Sequence, residues 1–430
     1  MTKIEISGQI VADIFGVSKR TIEKWAANGK LVPKKSKDGN PFFEVKQLEG
    51  FQETDFLFKK DWYQEENFKP KKEYSLVELF AGAGGLALGL ERAGFKSVLL
   101  NEFNKDACDT LRVNRPHWNV VHSDIKDVDF REFRNKVDIV TGGFPCQAFS
   151  YAGKKLGFED TRGTLFYEFA RAIKEINPKV FLAENVRGLI SHEKGKTLNA
   201  ISSVIDELGY ELVEPEVLKA IFYRVPQKRE RLFLVGIRKD LSPYVNFKYP
   251  ARYPQIFTLK DALKAGELYN CDVPTSSGQT YPTRKKEILS KVPQGGYWRD
   301  LPDDLQREFM KGSYYLGGGK TGLARRLSWG EPSLTLTCAP AQKQTERCHP
   351  DETRPLTTRE YARIQTFPDS WEFSGSMTSV YKQIGNAVPV NLGYAIARSL
   401  IRLLNDISDA DFSKPAPKVK KNGQFEMRYN

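Results

Sequence analysis

The feature that most constrains the fold is a regular alternation of short apolar segments and helical stretches that begins at Tyr74. The apolar segments have the length of strands, and the stretches between them can cross from one strand to the next as helices. Strands joined in this way lie parallel, and helices cover both faces of their sheet. The pattern therefore predicts an α/β fold over residues 74–240, with the segments YSLVELF, SVLLN, NVVHSD, KVDIVTGG, KVFLAEN and RLFLVGIR as strands.

The chain should form more than one domain, because 430 residues are too many for one ordinary core. Changes in composition along the sequence predict where the other domains begin and end. Residues 1–54 are predicted to form a separate module, and residues 55–73 a charged, aromatic linker. Residues 241–372 are irregular and rich in Pro, Gly, Tyr and Arg, which indicates a second domain. Residues 373–405 return to helical periodicity and rejoin the first domain, and residues 406–430 are a basic tail.

Charge and cysteine content narrow the class of protein. A formal net charge of +12 favours a polyanionic partner such as nucleic acid. The five cysteines are odd in number and scattered, which suits a reducing compartment better than a disulfide framework. The sequence has no apolar run of about 18 residues and no signal peptide, so we expect a cytoplasmic protein that does not engage a membrane. The histidines form no metal-binding motif, so we expect no metal.

Residues 8–28 are typical of two short helices around a turn at Gly16, with Ser18 as the N-cap of the second helix. A predicted hairpin, GKLVPKKSKDGNPFFEV, follows. This arrangement resembles the winged helix-turn-helix of excisionase and mercury-resistance-regulator type proteins, whose second helix lies in a DNA major groove. The alternative is a small helical cap that touches no DNA. The basic residues that the resemblance assigns to DNA binding are Lys19, Arg20 and Lys24.

A glycine-rich turn, AGAGGLALGLERAGF, follows the first predicted strand and opens a helix. Gly82, Gly84 and Ala87 fit the pattern G-x-G-x-x-G/A, and Glu102 lies 20 residues after Gly82. Such glycines let the backbone approach a ligand, and a carboxylate at this spacing can hold ribose hydroxyls. Asp124, after the third strand, can accept from an adenine amino group. The loop therefore predicts a nucleoside cofactor and leaves both NAD and S-adenosylmethionine open.

Chemically active side chains collect at the carboxyl ends of the predicted strands, where open parallel sheets bind their ligands. Cys146, within GGFPCQAFS, follows one strand, and Glu184, within FLAENVRG, ends another. Arg229 and Arg231 enter the last strand at alternating positions, so they share a face. A lone cysteine is commonly buried and inert, so it is these partners that indicate a nucleophile at position 146.

The order of these blocks resembles that of bacterial cytosine-C5 DNA methyltransferases of restriction–modification type, from about residue 75 to 405. The resemblance implies a Rossmann-like domain that uses S-adenosylmethionine, a smaller target-recognition domain, and duplex DNA as the substrate. The N-terminal helix-turn-helix is an extension that many members lack. The matching blocks are LFAGAGG, NEF, SDI, GGFPCQAFS, DTRGTLF, AENVRG, QKRERLF, RPLTTREYARIQTFP and QIGNAVPVNL.

The resemblance also assigns roles to single residues. Cys146 matches the nucleophile, Glu184 the group that bonds the N3 side of the cytosine, and Arg231 the donor to its O2. Arg229 matches a supporting contact, and Ser150 begins a loop that closes over the flipped nucleotide. The residues expected to hold S-adenosylmethionine are Phe80, Gly82, Gly84, Gly85, Glu102, Asp124, Ile125, Pro145, Leu165, Asn386 and Val388.

The second domain is expected to read the target sequence. Arginine can bond guanine O6 and N7 together, so a GC-containing target is predicted. The site we name for it is a short palindrome rich in G and C, GGNCC. Each basic residue there has the alternative of a phosphate contact or a solvated surface position. The residues assigned to DNA binding are Arg284, Arg325, Arg326, Lys343 and Arg347.

Three other functions remain to be weighed against this one. An NAD dehydrogenase fits the glycine loop and leaves the later blocks unexplained. A transcription factor needs the helix-turn-helix but not the set of Cys146, Glu184 and Arg231, although regulation of the enzyme's own promoter stays open as a second function. A tRNA cytosine methyltransferase shares the motifs, but the long variable segment and the N-terminal module favour duplex DNA. We also expect a monomer, and a partner endonuclease that acts on the same site without direct contact.

Overall fold

The computed structural model describes residues 5–35, 41–145, 164–317 and 320–416. Cys146 and Ser150 lie outside the described residues. The strands are β1 (Glu5–Ser7), β2 (Lys34–Lys35), β3 (Pro41–Glu44), β4 (Tyr74–Leu79), β5 (Phe95–Glu102), β6 (Val120–His122), β7 (Ile139–Gly142), β8 (Val180–Val186), β9 (Tyr210–Leu212), β10 (Glu216–Lys219), β11 (Gln227–Lys228), β12 (Glu230–Arg238) and β13 (Ser333–Leu334). The helices are α1 (Gly8–Phe15), α2 (Lys19–Ala27), α3 (Asp61–Glu66), α4 (Gly85–Ala93), α5 (Lys105–Asn114), α6 (Leu165–Ile176), α7 (Lys196–Glu207), α8 (Leu259–Leu263), α9 (Thr283–Leu289), α10 (Asp303–Met310), α11 (Thr358–Ile364), α12 (Met377–Asn386) and α13 (Val390–Asp409).

The central sheet has eight strands in the order β10-β12-β8-β7-β4-β5-β6, with β9 also paired to β12. Strands β4 to β8 are parallel, which confirms the α/β prediction for this part of the chain. The expectation of an all-parallel sheet is wrong for the last predicted strand, because β12 runs antiparallel to β8. The chain reaches β12 from its antiparallel neighbour β10 rather than through a helical crossover. The beginning of β12 therefore lies at the carboxyl edge of the parallel strands.

Successive side chains of the central strands point to opposite faces of the sheet and pack in two different hydrophobic cores. Leu76 packs on one face of the sheet with Leu86 of α4 and Leu400 of α13. Val77 packs on the other face with Phe169 of α6 and Ile201 of α7. Both faces are thus covered by helices, as the continuous apolar strands predict.

A separate, small core supports the region beyond the sheet. It joins Tyr281, Leu289, Trp298 and Phe309 to Cys348. The residues of this core all lie between 281 and 348, a shorter range than the 241–372 segment predicted to form the target-recognition domain. Phe247 and Phe257 lie in the first sheet core, and α8 and α11 pack with α12 in a third core.

The N-terminal segment, described over residues 5–35 and 41–57, contains both predicted helices, α1 and α2. Gly16 ends α1 with a φ of +68°, and the Ser18 hydroxyl accepts from the Thr21 N–H at 3.2 Å as the N-cap of α2. Strands β1, β3 and β2 form a three-stranded antiparallel sheet beside them. The assignment of this segment as a winged helix-turn-helix stays a prediction.

The segment 55–73, expected to be a linker, is packed against the first sheet core. It contains α3, whose Trp62 is 1% exposed and lies under the guanidinium of Arg398 at 3.8 Å from the ring centroid. The C-terminal basic tail also begins later than expected, because α13 continues to Asp409.

Candidate active site

A cleft of about 650 Å³ opens at the carboxyl edge of the parallel strands. It is lined by ten of the eleven residues predicted to hold a nucleoside cofactor, together with Glu184 and Arg231. Gly84 is the exception, because it lies behind the wall, where an added Cβ would come within 2.6 Å of Leu111. The ten lining residues are Phe80, Gly82, Gly85, Glu102, Asp124, Ile125, Pro145, Leu165, Asn386 and Val388.

The loop after β4 takes a conformation that few sequences tolerate. Phe80 and Gly82 have φ values of +56° and +54°. The turned backbone lets the Gly82 N–H donate to Glu102 Oε2 at 2.8 Å, while the Asn104 N–H donates to Oε1 at 2.7 Å. Two backbone donors thus hold the Glu102 carboxylate at the wall of the cleft.

The start of α4 closes the floor of the cleft. A Cβ added to Gly85 would lie 2.2 Å from the Val388 carbonyl oxygen, so only glycine permits this contact between the loop and the start of α13. A Cβ added to Gly82 would meet nothing within 4 Å, so its backbone faces open space in the cleft. Exposed backbone, a fixed carboxylate at Glu102 and a second one at Asp124 fit an adenine nucleoside such as S-adenosylmethionine.

Glu184 and Arg231 form an ion pair in the wall of this cleft. Arg231 lies opposite Val186 in the β8–β12 pairing, so its side chain shares a face with that of Glu184 two residues away. Arg231 Nε lies 2.6 Å from Glu184 Oε1, and both side chains are largely buried. Gly143 leaves room for the pair, because a Cβ there would come within 2.7 Å of Glu184 Oε2.

Burial raises the pKa of Glu184, and the charges of Arg231 and Arg229 oppose that shift. The Glu184 carboxyl group therefore keeps its proton to a higher pH than an exposed glutamate does. A neutral carboxyl group in a cleft can donate a hydrogen bond, which a carboxylate cannot.

Arg229 lies behind the cleft rather than in its lining. Its side chain is 1% exposed, and Nη2 donates to the Gly385 carbonyl at 2.9 Å while Nη1 donates to the Leu336 carbonyl at 3.3 Å. Burial and the nearby Arg231 lower the pKa of Arg229 to about 9. Arg229 therefore ties the start of β12 to the end of α12 and positions Arg231.

Two cleft residues were missed by the sequence analysis, although both are adjacent to motif residues. Asn185 Nδ2 donates to the Phe144 carbonyl at 2.9 Å and so fixes the backbone that leads to Pro145. Glu78 is 2% exposed, and burial raises the pKa of its carboxyl group to about 8. A glutamate within an apolar strand is a signal that could have revealed Glu78.

On the polar face of α12, Asn386 was predicted, and Ser379, Lys382 and Gln383 were missed. Ser379, Lys382, Gln383 and Asn386 line the cleft together. Their spacing of three, one and three residues places them on one side of a helix, so the periodicity of this segment could have predicted the face.

The residues of α2 assigned to DNA binding are solvent-exposed. Lys19, Arg20 and Lys24 form no ion pair with any residue that the structure describes. In the second domain, exposed Arg284 is paired with Glu308 and Glu287 at 2.6 and 2.8 Å.

Two assignments in the second domain need correction. Arg326 is 5% exposed and donates to carbonyl oxygens that include those of Val292 and Leu289, both at 2.8 Å. Arg347 is also 5% exposed and donates to the carbonyls of Thr335 and Glu346. Because these guanidinium groups are buried and donate to carbonyl oxygens of the same domain, they stabilise the domain rather than contact DNA.

The remaining two residues of that set are half-buried. Lys343 lies over the Phe309 ring at 5.2 Å from its centroid. The Arg325 Nε atom is buried and has no hydrogen-bond partner. Contact between these two side chains and DNA stays a prediction.

The part of the chain that the structure describes contains no group of three or more His, Cys, Asp or Glu side chains able to hold a metal ion. None of its helices is long and apolar enough to cross a membrane.

Comparison with known proteins identifies similar chains. A family described as C-5 cytosine-specific DNA methylase matches residues 74–402. The Type II methyltransferase M.Eco47II of Escherichia coli is 64% identical over 409 residues, which cover 95% of this chain and 98% of that protein. M.Sau96I of Staphylococcus aureus, also a Type II methyltransferase, is 52% identical over 80% of this chain and 79% of its own. Among solved structures, a candidate DNA modification methyltransferase from an E. coli prophage has a TM-score of 0.56 at 24% identity, covering 77% of this chain and 100% of that one, and supports the fold alone.

Proposed function

Because the chain belongs to the C-5 cytosine-specific DNA methylase family, it is a Type II DNA cytosine-C5 methyltransferase that uses S-adenosylmethionine, and we propose that it acts through a covalent bond from Cys146 to the target base. The observation that carries the proposal is the Glu184–Arg231 pair, which lines the same cleft as the cofactor residues and as Pro145, the residue before Cys146.

The chemistry needs a nucleophile because carbon 5 of cytosine is itself a weak one. The thiolate of Cys146 adds to carbon 6, which turns the ring into an enamine whose carbon 5 is electron-rich. S-adenosylmethionine, when bound, would supply an electrophilic methyl group to carbon 5 and would keep the electron pair of its broken sulfur–methyl bond. A base then removes the proton from carbon 5, the bond between sulfur and carbon 6 breaks, and the thiolate leaves with its electron pair.

Glu184 and Arg231 stabilise the ring as sulfur adds. The protonated carboxyl group of Glu184 donates to N3, where negative charge develops, and the guanidinium of Arg231 donates to O2. The raised pKa of Glu184 supports this role because it favours the protonated form of the carboxyl group. Arg229 holds Arg231 in place from behind.

The target cytosine must leave the helix to reach this cleft. Extruding a base costs a few kcal/mol, which contacts in the pocket and the loop that begins at Ser150 offset. The substrate we propose is duplex DNA with the site GGNCC.

The cellular setting belongs to the same proposal. Methylation protects DNA from a partner endonuclease that cuts the same site, in the cytoplasm, and the enzyme works as a monomer. Residues 1–54 act as a helix-turn-helix that also represses the enzyme's own promoter through Lys19, Arg20 and Lys24. Footprinting of the full chain on that promoter tests the repression, and a protein without a preferred site there would not be a repressor.

The test of the substrate is transfer of a tritiated methyl group to duplex DNA, followed by bisulfite sequencing. We expect label on carbon 5 of one cytosine within a short motif, which identifies the site. Label on tRNA and none on DNA would keep the catalytic chemistry and overturn the substrate.

The test of the covalent step is a duplex with 5-fluorocytosine at the target position. Fluorine cannot leave carbon 5 as a cation, so elimination stops and the protein stays attached to DNA on a denaturing gel. Cys146→Ser should bind the cofactor, give no adduct and lose nearly all turnover. Cys338→Ser is the matched control, because that exposed cysteine lies 3.1 Å from Asn386 Oδ1 at the cleft and should not be needed. An adduct in the Cys146→Ser protein would refute the covalent route through this residue.

A further inference from the structure

The N-terminal segment is docked beside the active site rather than held apart from it. Ile10 and Ile14 of α1 are 5% and 3% exposed and lie in the same core as Leu218 of β10. Phe56 packs edge-on against Phe222 with ring centroids 5.1 Å apart. These residues of the catalytic domain lead into β12, so the segment sits next to the strand that carries Arg231.

A partly buried ion pair fixes the orientation of the docked segment. Asp13 of α1 lies 2.8 Å from Lys228 Nζ, and the two side chains are 14% and 20% exposed. Lys228 directly precedes the buried Arg229, so α1 is anchored one residue from the group that positions Arg231.

A second cleft, of about 460 Å³, lies between the docked segment and the catalytic domain. Asp13, Gly16 and Val17 line one side of it, and α2 begins two residues beyond Val17. Val186 and Arg231 line both this cleft and the active-site cleft. The two clefts therefore share a wall, and the second one lies beside both the active site and the start of α2.

The second cleft is basic. Its lining contains five Lys and Arg side chains against two acidic ones. Lys219 forms no ion pair with the residues that the structure describes. Its Nζ would lie 3.1 Å from a Cβ on Gly16, so its ammonium group is next to the turn between α1 and α2. The five cations are Arg187, Lys219, Lys228, Arg229 and Arg231. Three of them are ion-paired, namely Arg187, Lys228 and Arg231. Arg229 is buried and donates to carbonyl oxygens, so Lys219 is the side chain that we expect to contact a phosphate.

We propose that this second cleft binds the phosphate backbone of the DNA that flanks the target cytosine, so that one duplex runs from the active site past Lys219 to α2. The inference rests on the proposed position of the target base beside Glu184 and Arg231. A groove with more Lys and Arg than acidic side chains, next to the active site, suits a polyanion. Lys and Arg contacts to phosphates carry no sequence information. The N-terminal segment then acts on the substrate duplex itself, in addition to any separate operator.

The position of the docked segment predicts that flanking DNA on only one side of the target contributes to binding. The docked segment lies on one side of the active-site cleft, so flanking DNA should increase affinity when it extends from one side of the target and not from the other. A module that binds only separate operators predicts no such asymmetry.

The experiment measures the Kd of the full-length protein for duplexes that carry its methylation site, by fluorescence anisotropy. Because GGNCC reads the same on both strands, each duplex carries a mismatch opposite the target cytosine of one strand, which lowers the cost of extruding that base and fixes the orientation of the bound protein. One duplex covers the site alone, and two others extend it by about ten base pairs, roughly one helical turn, on one side or on the other. Extension on one side should tighten binding by about 3- to 10-fold. Lys219→Ala should remove most of that gain and lower the slope of log Kd against log salt by about one, the value expected for one lost phosphate contact.

Lys96→Ala is the matched control. Lys96 is exposed and lies at the opposite end of β5 from the cleft, so this variant should keep the full one-sided gain. Equal gains from both sides, no gain, or a wild-type gain in Lys219→Ala would each overturn the proposal. A wrong assignment of the active site would show in a different measurement, the methylation rate. The Glu184→Gln and Arg231→Ala proteins would then methylate the short duplex at the wild-type rate.

Discussion

Gly143 and Glu184 show how one missing side chain makes room for the Glu184–Arg231 ion pair. Glu184 Oε2 occupies the space that a Cβ at position 143 would need, at a distance of 2.7 Å. Gly143→Ala should displace the carboxyl group from Arg231 and lower kcat by about 10- to 100-fold, because misplacements near 1 Å have effects of that size. Single-turnover methylation measures the loss, and isothermal titration measures cofactor binding.

The control for this substitution is Gly266→Ala, where an added Cβ meets nothing within 4 Å. That variant should keep the wild-type rate. A Gly143→Ala protein with weaker cofactor binding and an unchanged kcat would contradict the role given to Gly143.

Glu78 links cofactor-free stability to pH. Burial raises the pKa of its carboxyl group from 4.5 to about 8 in the folded protein. Between these values the folded chain holds a proton that the unfolded chain has lost. The free energy of unfolding therefore falls as the pH rises through this range, by up to about 1.4 kcal/mol per pH unit from this group. Its contribution to stability is complete below pH 4.5 and lost above about pH 8.

Glu78→Gln removes this titration, since an amide has the same shape and no ionisable proton. The Tm of the variant relative to the wild type, measured without cofactor, should increase between pH 6 and pH 8.5. A Tm difference that stays constant over this range would mean that Glu78 is ionised in the folded protein.

The residues of the cofactor cleft were predictable because their signals are local. Gly82 and Glu102 belong to a short motif whose spacing follows from one strand, one helix and the next strand. The roles of Arg326 and Arg347 were not predictable in this way. An arginine in an irregular segment gives no periodicity from which burial can be inferred, and only the folded domain shows that carbonyl oxygens surround these guanidinium groups.

At the scale of elements, α4 and α13 cross at Gly89. A Cβ on Gly89 would come within 2.5 Å of the Tyr394 nitrogen and 2.6 Å of the Gly393 carbonyl carbon. Both are backbone atoms, so no side-chain rotation can relieve the contact. The two helices therefore approach closely because this position is glycine.

Gly89→Ala should destabilise the protein despite its better helix propensity. Alanine gains about 1 kcal/mol in a helix, whereas overpacking against a fixed backbone costs about 1–3 kcal/mol. Because both contacts are with backbone atoms, the cost should lie near the upper end of that range, about 3 kcal/mol, which leaves a net loss of about 2 kcal/mol in the free energy of unfolding, measured with urea. Gly312→Ala, where a Cβ meets nothing within 4 Å, should stay close to the wild type, and an equally stable Gly89→Ala protein would show that the helices can separate at no cost.

Elements with strong local signals were predicted well, and elements that depend on tertiary contacts were not. Gly16 and Ser18 predicted the turn and cap between α1 and α2, and both are observed. Helix α3 has only six residues, too few for a periodic pattern, and forms because Trp62 is buried against α13. The antiparallel direction of β12 likewise depends on its pairing with β10, which the apolar pattern of one strand does not contain.

At the scale of the whole molecule, the N-terminal segment has two apolar surfaces with different partners. Val11, Ile22 and Phe43 form a core of its own. Ile10 and Ile14 belong instead to the core of the catalytic domain. The segment should therefore keep its own fold when its docking surface is weakened, and the two kinds of damage can be told apart.

Ile14→Ala tests the docking. The substitution removes a side chain that is 3% exposed and should cost about 2–4 kcal/mol, while alanine preserves α1. Lys59 and Lys60 are exposed, and release of the segment frees the neighbouring chain from the packing of Phe56 on Phe222, so trypsin should cut there faster than in the wild type. Ile22→Ala instead damages the segment's own core and should speed cleavage within α2. Unchanged cleavage at Lys59 and Lys60 in the Ile14→Ala protein would show that the packing of Ile14 is not what holds the segment, and with it the wall of the second cleft, on the catalytic domain.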